Sequence, residues 1–266
     1  MKVCWNITNL CNEDCIYCFR ELNEPALSIE ENLKILHKLK NAGVDTITFA
    51  GGEPLIYKDL LILLRESKKL GIKNNLITNG SLLNEENIST YLQYIDKITF
   101  SLDSPSDYVN EVSGRGVEHY KHIRKLLQYI NFFHSNTVIE INSVVTKENI
   151  NEVDFMFQKV SDELIFYGIK KWKVSRFLPL RGHAKLREDL LDVPDDAFEE
   201  IKAKYGMGSS LFDISVRDYD SYDSDFQVSP SGGLKISDHK EEKILISDIN
   251  KVEHDVLVKK LGGRGV

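Results

Sequence analysis

Hydrophobic positions along this chain follow two periods that take turns. Residues 3–8, 46–50, 75–78, 97–102, 138–145 and 171–178 are short, rich in β-branched and aromatic residues, and read as strands. Between them, apolar residues recur every three or four positions. Leu33, Leu36 and Leu39 make one such face; it starts after Ser28, a good N-cap with acids in the first turn, and stops at Gly43. Further helices are predicted over 59–69, 84–94, 118–133, 150–160 and 195–204. Strands alternating with helices across short loops predict a parallel sheet with outer helices. Six such units fill residues 1–180. The remaining 181–266 reads as an extension of the same single domain. It contains an irregular acidic, tyrosine-rich stretch over 217–225, and a hairpin of 226–228 and 234–236 around Pro230-Ser231-Gly232-Gly233. A glycine-rich basic tail from Lys259 to Val266 reads as mobile without ligand.

The chain has 266 residues, 42% hydrophobic and 28% charged, which is ordinary globular usage and excludes wholesale disorder. Its formal charge of −7 argues against a general nucleic-acid binder, so an anionic substrate needs a local patch of Lys and Arg. No apolar run is long enough for a membrane helix, and the first residues show no hydrophobic leader, so a cytoplasmic, membrane-free protein is expected.

Four cysteines lie within the first 18 residues and none after, which is not the layout of a disulfide framework. Cys11, Cys15 and Cys18 form Cys-x3-Cys-x2-Cys, close enough to surround one soft metal centre. A structural zinc site wants four closed ligands, and His37, the nearest histidine, sits in a predicted helix without a partner. Three thiolates suit a [4Fe–4S] cluster with one iron left open. Cys4 reads as a buried strand residue.

With Tyr17 before the third cysteine and Gly51-Gly52-Glu53-Pro54 at the end of the second strand, the chain resembles the radical S-adenosylmethionine superfamily. The resemblance implies a partial (β/α)6 TIM-like barrel of class α/β, with its site at the C-terminal ends of the strands. It implies a [4Fe–4S] cluster on Cys11, Cys15 and Cys18, and S-adenosylmethionine held near Tyr17, Gly51, Gly52, Glu53, Pro54, Asn79, Ser101, Arg115 and Asn142.

Within that superfamily the chain is similar to the viperin-like nucleotide dehydratases. The motifs that match are Cys18-Phe19, Asp103-Ser104, Val109-Asn110, Gly114-Arg115-Gly116, Ile141-Asn142-Ser143-Val144, Lys171-Trp172-Lys173-Val174 and Lys259-Lys260-Leu261-Gly262-Gly263-Arg264. That likeness implies a monomer that converts a nucleoside triphosphate into its 3′-deoxy-3′,4′-didehydro analogue, an antiviral chain terminator. It implies a flavodoxin- or ferredoxin-type electron donor. Arg115 and Asn142 would meet S-adenosylmethionine; Asn142, Lys171, Lys173, Lys260 and Arg264 would meet the substrate; Tyr222 would donate the last hydrogen. The chain departs from that family at Cys4, Thr46, Thr48, Ala50 and Glu140, which leaves the base open. A radical enzyme acting on a peptide or small metabolite is the alternative, although no cysteine after Cys18 is available for an auxiliary cluster. A non-enzymatic module built on a structural metal is the third reading.

Overall fold

Strand β1 (Lys2–Thr8) shows how the alternation works. Val3, Trp5 and Ile7 are buried in the main core with Ile35, Leu36 and Leu39 of α1 (Ile29–Asn41), while Asn6 points to the opposite face and lines a cavity. Helix α1 starts where expected. Ser28 and Glu31 form a reciprocal capping box that satisfies two backbone donors.

The computed structural model describes residues 1–20, 24–133, 136–221, 225–237 and 242–262. After α1 come β2 (Thr46–Gly51), α2 (Leu60–Lys69), β3 (Lys73–Thr78), α3 (Ile88–Leu92), β4 (Lys97–Ser101), α4 (Asp107–Val112), α5 (His119–Phe132), β5 (Val138–Val145), α6 (Val153–Asp162) and β6 (Ile169–Arg176). The extension holds α7 (Gly182–Leu186), α8 (Glu188–Leu191), α9 (Asp195–Tyr205), β7 (Asp213–Arg217), β8 (Asp225–Val228), β9 (Leu234–Ser237), β10 (Glu242–Ile246) and α10 (His254–Lys260).

The ten described strands form one sheet in the order β10-β9-β8-β1-β2-β3-β4-β5-β6-β7. From β8 through β7 all neighbours are parallel, and β9 and β10 are antiparallel additions. The α/β partial barrel is therefore wider than six strands. β7 extends it beyond β6, and β8 of the expected hairpin docks beside β1. β7 was readable in principle, because Ile214 lies buried while Asp213 and Ser215 alternate with it.

Three other expectations change. The helix expected over 84–94 is only α3, because the Asn84 side chain accepts from the backbone N–H of Glu86 and Asn87 and replaces the first helical turn. Lys259 and Lys260 are the last turn of α10 rather than a loose tail. Buried Leu257 and Leu261 hold α10 down, and Lys38 Nζ donates to the carbonyls of Ile249, Asn250 and Val252 just before it. Cys4 is only partly buried, on the inner face of β1 between Thr48 and Gln227. Among the described residues no helix is long and apolar enough to cross a membrane.

Candidate active site

The loop after β1 carries the three thiols, and three neighbouring loops fix its path. Gly51 and Gly52 close β2 against it: Gly52 N–H donates to Thr8 O at 2.7 Å and Glu53 N–H to Leu10 O at 2.8 Å. A Cβ on Gly51 would lie 2.3 Å from Thr8 O, and one on Gly52 2.2 Å from Leu10 O. Both glycines are thus demanded by the cysteine loop's own backbone, which passes too close for any side chain. On the other side, Asp14 and Ile16 N–H groups donate to Gly114 and Ser113 carbonyls, and Ala184 N–H donates to Cys18 O. Cys15 and Tyr17 pack with Phe177, Ala184 and Leu191 in a small separate core.

Glu53 anchors the end of β2 to the end of β3. Its carboxylate accepts from Thr78 Oγ1 and Asn79 N at 2.8 Å and from Leu55 N at 3.1 Å. Burial pushes its carboxyl up to about 7, against these hydrogen bonds. Glu53 and Pro54 do not line the cavity; they brace it from behind.

A cluster of charged side chains pins the cysteine loop from below. Arg115 donates through Nε to Asp103 and through Nη1 to Glu13 at 3.0 Å, and its guanidinium lies over the Tyr17 ring at 5.6 Å. The Tyr17 hydroxyl donates to the same Asp103 oxygen. The other Asp103 oxygen accepts from Val144 N at 2.8 Å. His119 Nε2 donates to Ser101 O at 2.8 Å, since a carbonyl only accepts. Burial, then the nearby Arg115 charge, pushes His119 down to about 4, so its ring is neutral. Burial also raises Glu13, opposed by Arg115. The arginine expected to reach S-adenosylmethionine is therefore shared between two acids of the protein while still lining the cavity.

Cys11, Cys15 and Cys18 are free thiols that line this one cavity. Backbone N–H groups of Glu13 and Arg20 approach Cys11 and Cys18 Sγ at 3.5 Å, and Asn79 Nδ2 approaches Cys11 Sγ at 4.0 Å. Donors aimed at sulfur suit thiolates bound to metal. Burial raises Cys11 and pushes Cys15 up to about 12, and a metal's positive charge would favour the thiolate form of both. Among the described residues no three His, Cys, Asp or Glu groups converge on one ion. An iron–sulfur cluster takes its thiolates on separate irons, so the donor set fits a cluster better than a zinc ion.

Of the residues expected at the site, Cys11, Cys15, Tyr17, Cys18, Gly51, Gly52, Asn79, Ser101, Arg115 and Asn142 line the same cavity. Lys171, Lys173 and Lys260 do not. Lys171 pairs with Asp213 at 2.7 Å, and Lys173 pairs with Glu140, which also holds Lys97 at 3.3 Å. Lys260 is exposed on α10. Tyr222 and Arg264 lie outside the described residues. Sequence reasoning missed Arg20, Arg176, Arg181 and Lys235, which also line the cavity. Arg20, two positions after Cys18, was the one with a local signal; Arg176 and Arg181 end and follow β6, and Lys235 lies on β9, with nothing in those strands' motifs to show that they reach the cavity.

A parallel partial barrel with three thiols and a double glycine at its strand ends defines a class. The family model described as Radical SAM superfamily matches residues 5–160, and the chain belongs to that superfamily, whose members are enzymes that use S-adenosylmethionine and a [4Fe–4S] cluster. The chain is 29% identical over 234 residues to an S-adenosylmethionine-dependent nucleotide dehydratase of Flammeovirga pacifica, covering 84% of this chain and 77% of the relative. A protein of the same name from Lacinutrix mariniflava is 30% identical over 199 residues, 71% of this chain but only 40% of the relative. Streptococcus suis SuiB bound to S-adenosylmethionine shares the fold, with a TM-score of 0.70 at 18% identity, over 88% of this chain and 59% of that one.

Proposed function

We propose that this radical S-adenosylmethionine enzyme is a nucleotide dehydratase acting on a nucleoside triphosphate. The observation that carries the reading is the convergence on one cavity of the three thiols, the double glycine, Asn79, Ser101, Arg115 and Asn142, in a chain whose curated relatives include proteins named nucleotide dehydratases. When bound, the cluster supplies the electron that splits S-adenosylmethionine into methionine and a 5′-deoxyadenosyl radical.

The chain's own residues hold and shield. Cys11, Cys15 and Cys18 are the cluster ligands in this reading. The Gly51-Gly52 backbone, Asn79, Ser101 and Asn142 present polar groups to S-adenosylmethionine. Asn142 Oδ1 accepts from Ser175 Oγ at 3.0 Å, which fixes the amide and leaves its N–H groups to donate. Tyr17, fixed by Asp103, forms a wall that keeps water from the radical. The substrate gives its ribose 4′-hydrogen to the 5′-deoxyadenosyl radical, its 3′-hydroxyl leaves with a proton as water, and one further electron completes the C3′=C4′ double bond. A flavodoxin- or ferredoxin-type donor is the expected electron source.

A second reading, a peptide or small-metabolite substrate, is favoured by one observation. Glu140 neutralises Lys173 on the inner face, where the dehydratase likeness expects cations. The test is anaerobic turnover of the cluster-loaded protein with S-adenosylmethionine and CTP, UTP, GTP or ATP. Stimulated 5′-deoxyadenosine with one nucleotide, and a product lighter by one water, supports the reading. Cleavage indifferent to every nucleotide refutes it.

A further inference from the structure

The inner face of the barrel carries cations at two depths, and only the upper set lines the cavity. In the lower layer Lys97 and Lys173 meet on Glu140, with Thr99 Oγ1 donating to the same oxygen at 3.2 Å, and Lys171 meets Asp213. None of these lines the cavity. In the upper layer the cavity is lined by Arg176 and Arg181 from one end of the curved sheet and by Lys235 from the other.

Arg176 ends β6 and is held by Asp195 and Asp218, with its guanidinium over the Tyr219 ring at 4.4 Å. Arg181 follows in the loop that packs on Cys18, over the Phe19 ring at 5.7 Å. Lys235 lies on β9, its side chain only 12% exposed, with Glu24 at 3.9 Å. β6 and β9 are far apart in the strand order, so these groups share a cavity only because the sheet curls round. Planar guanidinium groups steadied on aromatic rings are suited to bidentate contact with phosphate oxygens. In a chain of net charge −7, such cations at one cavity are a local patch of the kind an anionic substrate needs, although Glu13 and Glu24 line the same cavity.

We infer that the seam between the two ends of the sheet, with Arg176, Arg181 and Lys235, receives the phosphate groups of the substrate, and that the lower lysines do not. This rests on the nucleotide reading and deepens it, by naming the polyphosphate as the part read at the seam. Arg176 is the scaffolded member; Arg181 and Lys235 are the ones to vary.

The probes are inorganic tripolyphosphate and the nucleotide that stimulates turnover best, titrated against cluster-loaded protein with S-adenosylmethionine present. Arg181→Gln and Lys235→Gln are each expected to weaken both probes by about tenfold, as loss of one charge-assisted contact would. Arg181→Lys recovers part of the loss because it keeps the charge. The double variant Glu140→Gln with Lys173→Gln replaces the lower pair by a neutral one and is expected to leave both affinities within about twofold. Thermal melting of each variant separates misfolding from lost contact. If the nucleotide binds, the seam variants bind as well as the parent, and the lower variant does not, the inference falls and the nucleotide reading stands. If tripolyphosphate binds at the seam and no nucleotide does, the seam stands and the nucleotide reading falls. If neither probe binds the parent, the inference falls as well.

Discussion

Two buried charge clusters sit inside this barrel, and they differ in what surrounds them. The upper one joins Glu13, Tyr17, Asp103, Arg115 and His119, contributed by the cysteine loop, β4 and the segments after it. The lower one joins Lys97, Glu140 and Lys173 across β4, β5 and β6. Both take ions out of water, which costs free energy that the partners must return. The upper cluster ties a loop without regular structure to the sheet, so its removal reaches the thiols. The lower one links strands that the backbone ladder already holds, so its removal costs stability and little else. Charge of similar amount therefore serves positioning in one place and neutralisation in the other.

The comparison can be broken most directly at Arg115. Arg115→Ala leaves Glu13 and Asp103 buried without a cation, at a cost of about 3–5 kcal/mol, and most of the iron should be lost; denaturant melts and iron content per chain measure both. Gly52→Ala strikes the same loop through sterics alone. Its Cβ would lie 2.2 Å from Leu10 O, so the cysteine loop must shift, at roughly 1–3 kcal/mol, and cluster absorbance after reconstitution should drop with it.

Glu140→Gln sharpens the contrast from the other side, at about 2 kcal/mol with iron content unchanged. Burial raises the Glu140 carboxyl, but the Lys173 hydrogen bond and the charges of Lys173 and Lys97 outweigh it, and the net shift is downward. A lowered carboxyl contributes stability that is present above its unfolded pKa and lost as pH falls through its folded value. The parent should therefore lose stability on the acid side of the usual carboxylate range, and the variant should lose less there. Tyr17→Phe is the mildest change. It removes one donor to Asp103, for about 1.5 kcal/mol, and leaves the Arg115 pairs in place.

What could be read from the sequence divides along the same line. The outward residues Trp5, Ile47 and Phe49 announce their strands because alternation is local, and the thiols and glycines announce themselves by spacing. The role of Glu53 could not be read so fully, since its partners Thr78 and Asn79 belong to the next strand. Lys171 and Lys173 looked available because nothing near them in sequence shows Asp213 or Glu140 beside them. Lys235 was missed for the converse reason: β8, next to β1, carries β9 to the cavity from more than 200 residues away in the chain, while Arg176 ends β6 just beyond the Lys171-Trp172-Lys173-Val174 motif.

The proposed reaction is removal of a ribose 4′-hydrogen from a nucleotide bound in this cavity. The direct test is anaerobic turnover of the nucleotide carrying deuterium at C4′. The account predicts one deuterium in the 5′-deoxyadenosine and none left at C4′ of the dehydrated product. Unlabelled 5′-deoxyadenosine formed at the same rate, with the labelled nucleotide recovered intact, would contradict it.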